Sequence, residues 1–283
     1  MQPKLYDQSR YKDVLAFNQP APKNAAYFEH DFGNYALEGR IVYNSGQEKP
    51  WVLSAHGARS DYTKSDPVTL ALRDKGYSVL SLNMSGHSEA GVLKSSGTSL
   101  RNNTKEVETF YQYLDPGRPK IVIGYSLGGT PALKLLEKHS QEIDKLILFY
   151  PGIYTTKAYS SNYGELFRST ISEPFSYRDN DTIELLKTFK GKVLLVVGEY
   201  DGLDPEAYGK PAGGSAGEVE IAGEKRYSPI PKEVIDMIVA AVPADRLTFI
   251  QVADCDHQVM RWMRAHPDKA ADLIRQIHSF LKS

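Results

Sequence analysis

The feature that most restricts the fold is a set of compact apolar runs that do not alternate with polar residues. They are Trp51 to Ala55, Tyr77 to Leu82, Lys120 to Tyr125, Leu146 to Tyr150, Val193 to Val197 and Leu247 to Val252. A strand with one wet face alternates, whereas a strand covered on both faces need not, so these runs predict parallel strands between layers of helices. The intervening stretches have helical period. Asp66-Pro67 reads as an N-cap and first-turn proline ahead of Val68, Leu70, Ala71 and Leu72, ending near Gly76. Residues 99–114 align Val107, Phe110, Tyr111 and Leu114, residues 127–139 give a third helix, and 231–242 and 266–281 give the last two. Two earlier runs, 27–32 and 35–42, flank Gly33-Asn34 and predict an antiparallel edge pair. The order implies an α/β fold built on one open, mostly parallel sheet with helices on both faces.

Charge and cysteine content exclude several function classes. The 34 Lys+Arg against 35 Asp+Glu leave a net charge of −1 with no long like-charged block, which argues against a nucleic-acid partner and leaves selectivity to pocket shape. Cys255 is the single cysteine and cannot close an intrachain disulfide; the polar start from Met1 to Asp7 has no signal-peptide core. No apolar stretch approaches the roughly 20 residues of a membrane span. A cytoplasmic protein without a membrane span is expected, with its oligomeric state left open.

The most specific local pattern is Gly124-Tyr125-Ser126-Leu127-Gly128-Gly129, directly after one predicted strand and directly before a helix. This is the context of a G-x-S-x-G nucleophile elbow. Glycines at 124 and 128 remove side chains where a tight strand-to-helix turn brings backbone segments together, and the helix N-terminus presents N–H groups to developing negative charge. A serine hydroxyl is a weak nucleophile at neutral pH and needs a base and a group that orients the base.

With three further segments, the elbow makes the chain from about Tyr27 onward resemble the α/β-hydrolase fold family. They are Ser54-Ala55-His56-Gly57-Ala58, Gly198-Glu199-Tyr200-Asp201 and Ala253-Asp254-Cys255-Asp256-His257, each after a predicted strand. The resemblance implies a catalytic set of Ser126, Asp201 and His257 in the family's chain order, although Asp204 lies close to Asp201. It also implies an oxyanion hole made by the backbone N–H groups of Ala58 and Leu127, with His56 structural. Asn83 and Ser85 depart from the Asp-x-Arg that many relatives carry ahead of Gly86, which puts that loop's usual polar contacts in question. On this resemblance residues 1–24 are an N-terminal extension and 25–283 an α/β-hydrolase domain with a short cap insertion at 152–188 and a glycine-rich loop at 202–230.

A serine nucleophile favours acyl carbonyls, so the expected function is cleavage of a carboxylic ester or thioester of a small-molecule acyl substrate through an acyl-enzyme. Acyl transfer or lyase chemistry with the same triad, and non-catalytic binding of a small molecule, are the alternatives. Neither cofactor nor metal is expected: no H-E-x-x-H pattern occurs, Gly209-Lys210 lacks Walker A spacing, and Cys255 lacks an elbow. The cap's Tyr154, Tyr159, Tyr163, Phe167, Phe175 and Tyr177 are expected to supply at least one wall residue of the acyl pocket. Arg59, beside the oxyanion loop, reads as a solvated arginine with contact to an acidic substrate group as the alternative, and 202–230 as a mobile lid, a subunit contact or a disordered insertion.

Overall fold

The unbroken apolar runs become strands whose two faces enter different cores. The computed structural model describes residues 5–6, 22–46, 48–87 and 97–283. Most of the expected N-terminal extension, residues 1–4 and 7–21, lies outside the described residues. The strands are β1 (Leu5–Tyr6), β2 (Ala25–Asp31), β3 (Ala36–Val42), β4 (Val52–Ala55), β5 (Val79–Leu82), β6 (Lys120–Tyr125), β7 (Ile143–Phe149), β8 (Lys192–Gly198), β9 (Gly217–Ile221), β10 (Glu224–Ser228) and β11 (Leu247–Val252). The helices are α1 (Asp66–Asp74), α2 (Leu100–Tyr111), α3 (Gly129–Lys134), α4 (Leu136–His139), α5 (Thr156–Ser160), α6 (Glu165–Ser172), α7 (Thr182–Thr188), α8 (Lys232–Ala241), α9 (Val259–Ala265) and α10 (Pro267–Lys282).

One sheet runs in the order β1-β2-β3-β5-β4-β6-β7-β8-β11, and β9 pairs only with β10. β5, β4, β6, β7, β8 and β11 are mutually parallel, while β3 runs antiparallel to both β2 and β5. The chain goes from β4 to β5 on one side and then to β6 on the other. The C-terminal ends of β4 and β6 therefore flank the switch point at which open α/β sheets bind ligands.

Neighbouring residues of one strand serve opposite layers. Val52, Val79, Ile121 and Leu194 join Val68, Leu72, Leu273 and Ile277 in one core. Leu53, Leu80, Val122 and Leu195 join Val107, Phe110, Leu133 and Ile238 in the other. Each such side chain contributes about 1.5–3 kcal/mol on burial, which is why both faces of the strand are apolar.

Three details differ from the sequence reading. Ser65, not Asp66, holds the N-cap position of α1. Asp66 instead accepts from both terminal guanidinium nitrogens, Nη2 and Nη1, of the fully buried Arg40, at 2.5 and 3.3 Å, a partner that no local pattern reveals. A short helix not expected from the sequence, α9, buries Val259, Met260 and Met263 just before α10. Finally, the 202–230 segment contains the β9–β10 hairpin, closed by Ala222 and Gly223 at φ 52° and 79°. Positive φ at both central residues is the two-residue turn that matches strand twist. Its strands bury little beyond Val219 and Ser228, so they carry no apolar signature.

Candidate active site

The site begins at the elbow. Ser126 has φ 49°, a strained conformation that the surrounding backbone enforces and that points the side chain out of the strand end. A Cβ on Gly124 would lie 2.7 Å from the Gly128 carbonyl oxygen, and one on Gly128 would collide with the Ala55 and His56 carbonyls. Both glycines are thus required by close approach. The Gly152 N–H donates to the Ser126 carbonyl at 2.9 Å and ties the elbow to the start of the 152–188 segment.

Ser126, Asp201 and His257, from three strand ends, converge. Ser126 Oγ lies 3.0 Å from His257 Nε2, and His257 Nδ1 lies 2.6 Å from Asp201 Oδ2. A carboxylate at Nδ1 holds the proton there and leaves the Nε2 lone pair facing the serine. The Asp201 side chain is fully buried, and its other oxygen accepts from the N–H groups of Gly202 and Ile230 at 3.0 and 3.4 Å. The neighbouring Asp204 is exposed and accepts the Glu206 N–H instead.

The hairpin, absent from the sequence reading, is fastened to this group. Tyr227 accepts the His257 N–H at 3.0 Å through its carbonyl, and its own N–H donates to Asp256 Oδ2 at 2.9 Å. Arg226 Nη2 pairs with Asp254 at 2.6 Å, and Ser228 Oγ accepts the Leu203 N–H at 3.1 Å. The His257 ring also meets Tyr150 and Tyr227 edge-on, at centroid distances of 4.6 and 5.8 Å. Tyr150 follows β7 directly and sits at φ 39°. No sequence pattern singled out either tyrosine as a neighbour of the histidine.

His56 donates from Nδ1 to the Gly57 carbonyl at 2.7 Å and accepts the Met84 N–H at Nε2, 2.9 Å. Burial, with the nearby His87 second, pushes its pKa down to about 3, so the ring is neutral and shapes the turn that carries Ala58. Ala58 and Leu127 both line the cavity that contains Ser126 and His257. In the loop that departs from its relatives, Asn83 accepts the Tyr62 N–H and donates to Glu38, at 3.0 and 3.1 Å. Burial raises that Glu38 carboxyl to about 7. Ser85 donates its N–H and hydroxyl to Glu106, at 3.0 and 2.5 Å. The loop is therefore held by substitute polar contacts as far as His87; Ser88 lies outside the described residues.

Cys255 is 1% exposed, and burial pushes its thiol pKa up, the opposite of what a thiolate nucleophile needs. Among the described residues no group of three or more His, Cys, Asp or Glu side chains could hold a metal ion. Nor, among them, is any helix long and apolar enough to cross a membrane.

The cavity has a volume of about 890 Å³ and is shared between the strand-end loops and both inserted segments. Tyr154, Tyr163, Phe167 and Tyr177 of the first segment line it, as do Gly213, Gly214 and Tyr227 of the second. Tyr159 and Phe175 instead lie beneath Lys134 and Arg178, at 5.1 and 4.0 Å.

The fold has counterparts among known proteins. Residues 46–178 match the family model described as serine aminopeptidase, S33. No curated protein matches the sequence. The thioesterase domain from the curacin biosynthetic pathway superposes with a TM-score of 0.58 at 17% identity, covering 89% of this chain and 98% of that one. The 2,6-dihydroxy-pseudo-oxynicotine hydrolase gives 0.59 at 17% identity, covering 94% and 72%. The monoacylglycerol lipase of Paleococcus ferrophilus gives 0.55 at 16% identity, covering 82% and 93%. Strand order and these likenesses together show that the chain has the α/β-hydrolase fold.

Proposed function

We propose that the protein is a serine hydrolase that cleaves a carboxylic ester or thioester through Ser126, His257 and Asp201. The observation that carries this reading is the hydrogen-bond chain from Ser126 Oγ through His257 to a buried Asp201, at 3.0 and 2.6 Å, opening on a cavity. Ser126 Oγ attacks the acyl carbonyl carbon while its proton passes to His257 Nε2. Asp201 holds the ring in position and stabilises the imidazolium. The N–H groups of Ala58 and Leu127 take the oxyanion, and His257 returns the proton to the departing alkoxide or thiolate. Water, deprotonated by His257, then hydrolyses the acyl-enzyme. Residues 25–283 form the hydrolase domain in this reading, with 1–24 as an extension and 152–188 as the cap.

The matching family model names an aminopeptidase. Removal of an N-terminal residue calls for a seat for its ammonium group, and the described residues that line the cavity include no Asp or Glu. An ester or thioester suits that lining better. A fluorophosphonate probe should label the wild type covalently and fail to label Ser126→Ala; labelling that survives the substitution would overturn the assignment.

A further inference from the structure

The cavity wall is one-signed in a chain that is not. Lys+Arg and Asp+Glu number 34 and 35 in the whole protein, yet the described lining contains Arg59, Lys64, Arg168, Lys210 and Arg261 and no carboxylate. None of these five side chains has an Asp or Glu partner within 4.0 Å among the described residues. Like charges gathered on a concave wall repel one another and raise the local concentration of an oppositely charged ligand, so the arrangement becomes favourable when an anion occupies it.

Three of the five belong to the chain segments that follow Ala58 and His257. Arg59 follows Ala58 directly, and its charge is felt at the Tyr227 hydroxyl. Lys64 lies in the same segment, and Arg261 is on α9. Arg264, one turn further along α9, donates to the carbonyls of Thr63 and Lys64 at 3.0 Å each, fastening the two elements together. The Lys64 amine is half-buried, and burial first and Arg264 second lower its pKa. Asp61 partly offsets this, but its carboxylate already accepts the Thr63 N–H and hydroxyl at 2.7 and 2.5 Å. The rest of the lining includes apolar and aromatic side chains, among them Ile153, Tyr154, Phe167 and Ile230.

We propose that the site selects esters or thioesters with an apolar body and an anionic substituent, a carboxylate or a phosphate, which Arg59, Lys64 and Arg261 hold while the acyl carbonyl lies at Ser126. This rests on the serine-hydrolase reading above and names its substrate class. It also revises the expectation that even overall charge leaves selectivity to shape, because the balance of the whole chain hides local segregation.

Two matched pairs test it on the full chain. p-Nitrophenyl hemisuccinate against p-nitrophenyl butyrate isolates a carboxylate; butyryl-4′-phosphopantetheine against butyryl-pantetheine isolates phosphate. In at least one pair the anionic member should have a kcat/KM about tenfold higher, the scale of one charge-assisted hydrogen bond. Added salt should shrink the preference. Lys64→Gln combined with Arg261→Gln should bring the ratio close to one, with thermal unfolding reporting that the variant is folded. The pair that shows the preference identifies the anion. A wild type labelled by the neutral fluorophosphonate but without preference in either pair, or with a ratio indifferent to the substitutions, would overturn this inference alone. Absence of labelling would overturn the hydrolase reading and this one with it.

Discussion

The two segments that interrupt the strand–helix order border the same cavity but are held in different ways. Residues 152–188 behave as added core: Ile153, Ala158, Phe167, Tyr177, Ile183 and Leu186 are buried in the layer that covers one face of the sheet. Arg178 adds a fork of hydrogen bonds to Glu233 at 2.7 and 2.8 Å, and Lys134 pairs with Asp181 at 2.6 Å. Residues 202–230 bury far less apolar surface. Their hairpin is held by hydrogen bonds and an ion pair to the loops that carry Asp201 and His257. The two segments meet where the Phe175 N–H donates to the Gly213 carbonyl at 2.7 Å, with the Phe175 ring in the space that a Gly213 side chain would need. The first segment therefore walls the cavity from the core side, while the second is bonded to the loops that carry the proposed base and acid.

That contrast can be broken from either side. Arg226→Ala removes the partner of Asp254 and loosens the hairpin from the His257 loop; kcat should fall about tenfold with little change in KM, as expected for a charge-assisted contact. A rise in KM at constant kcat would place the hairpin with the pocket wall instead. Phe167→Leu, on the helical segment, should act the other way. It should change the acyl-chain preference by about fivefold through KM, the scale of one to two methylenes in a pocket. A loss of kcat shared by all chain lengths would contradict the division.

The smallest effect concerns the scaffold common to both. His56 has its folded pKa depressed from 6.5 to about 3, chiefly by burial. Its contribution to stability is therefore complete above about pH 6.5 and is lost as pH falls from there toward 3, because the unfolded chain binds the proton first. The slope cannot exceed about 1.4 kcal/mol per pH unit for one proton. Urea unfolding of His56→Asn across pH 4–8 should show a flatter dependence in that window, and an unaltered slope would remove His56 from the account.

Much of this architecture is legible in the sequence because it follows from short-range rules. Gly124 and Gly128 announce the elbow, since no other residue survives the close approach of the turn, and Ser126 sits between them. The paired faces of Val52 and Leu53, or of Ile121 and Val122, explain why those strands show no alternation. The β9–β10 hairpin is not legible, because its strands are mostly exposed and its attachments reach residues 25–30 positions away. α9 is short and merges into the approach to α10, so its apolar spacing has little room to register.

By itself, then, the sequence determined the order of elements, the parallel sheet buried on both faces and the position of the elbow, because periodicity and steric exclusion act within a few residues. Only the tertiary structure decided that Asp201 and not Asp204 meets His257, and that Asp66 answers Arg40 and does not cap its helix. Tertiary structure also gathered Arg59, Lys64 and Arg261 around one cavity without carboxylates among the described lining. These are pairings between groups remote in the chain, and the distance between such groups is set by how the strands are ordered and the loops cross, which no local pattern encodes.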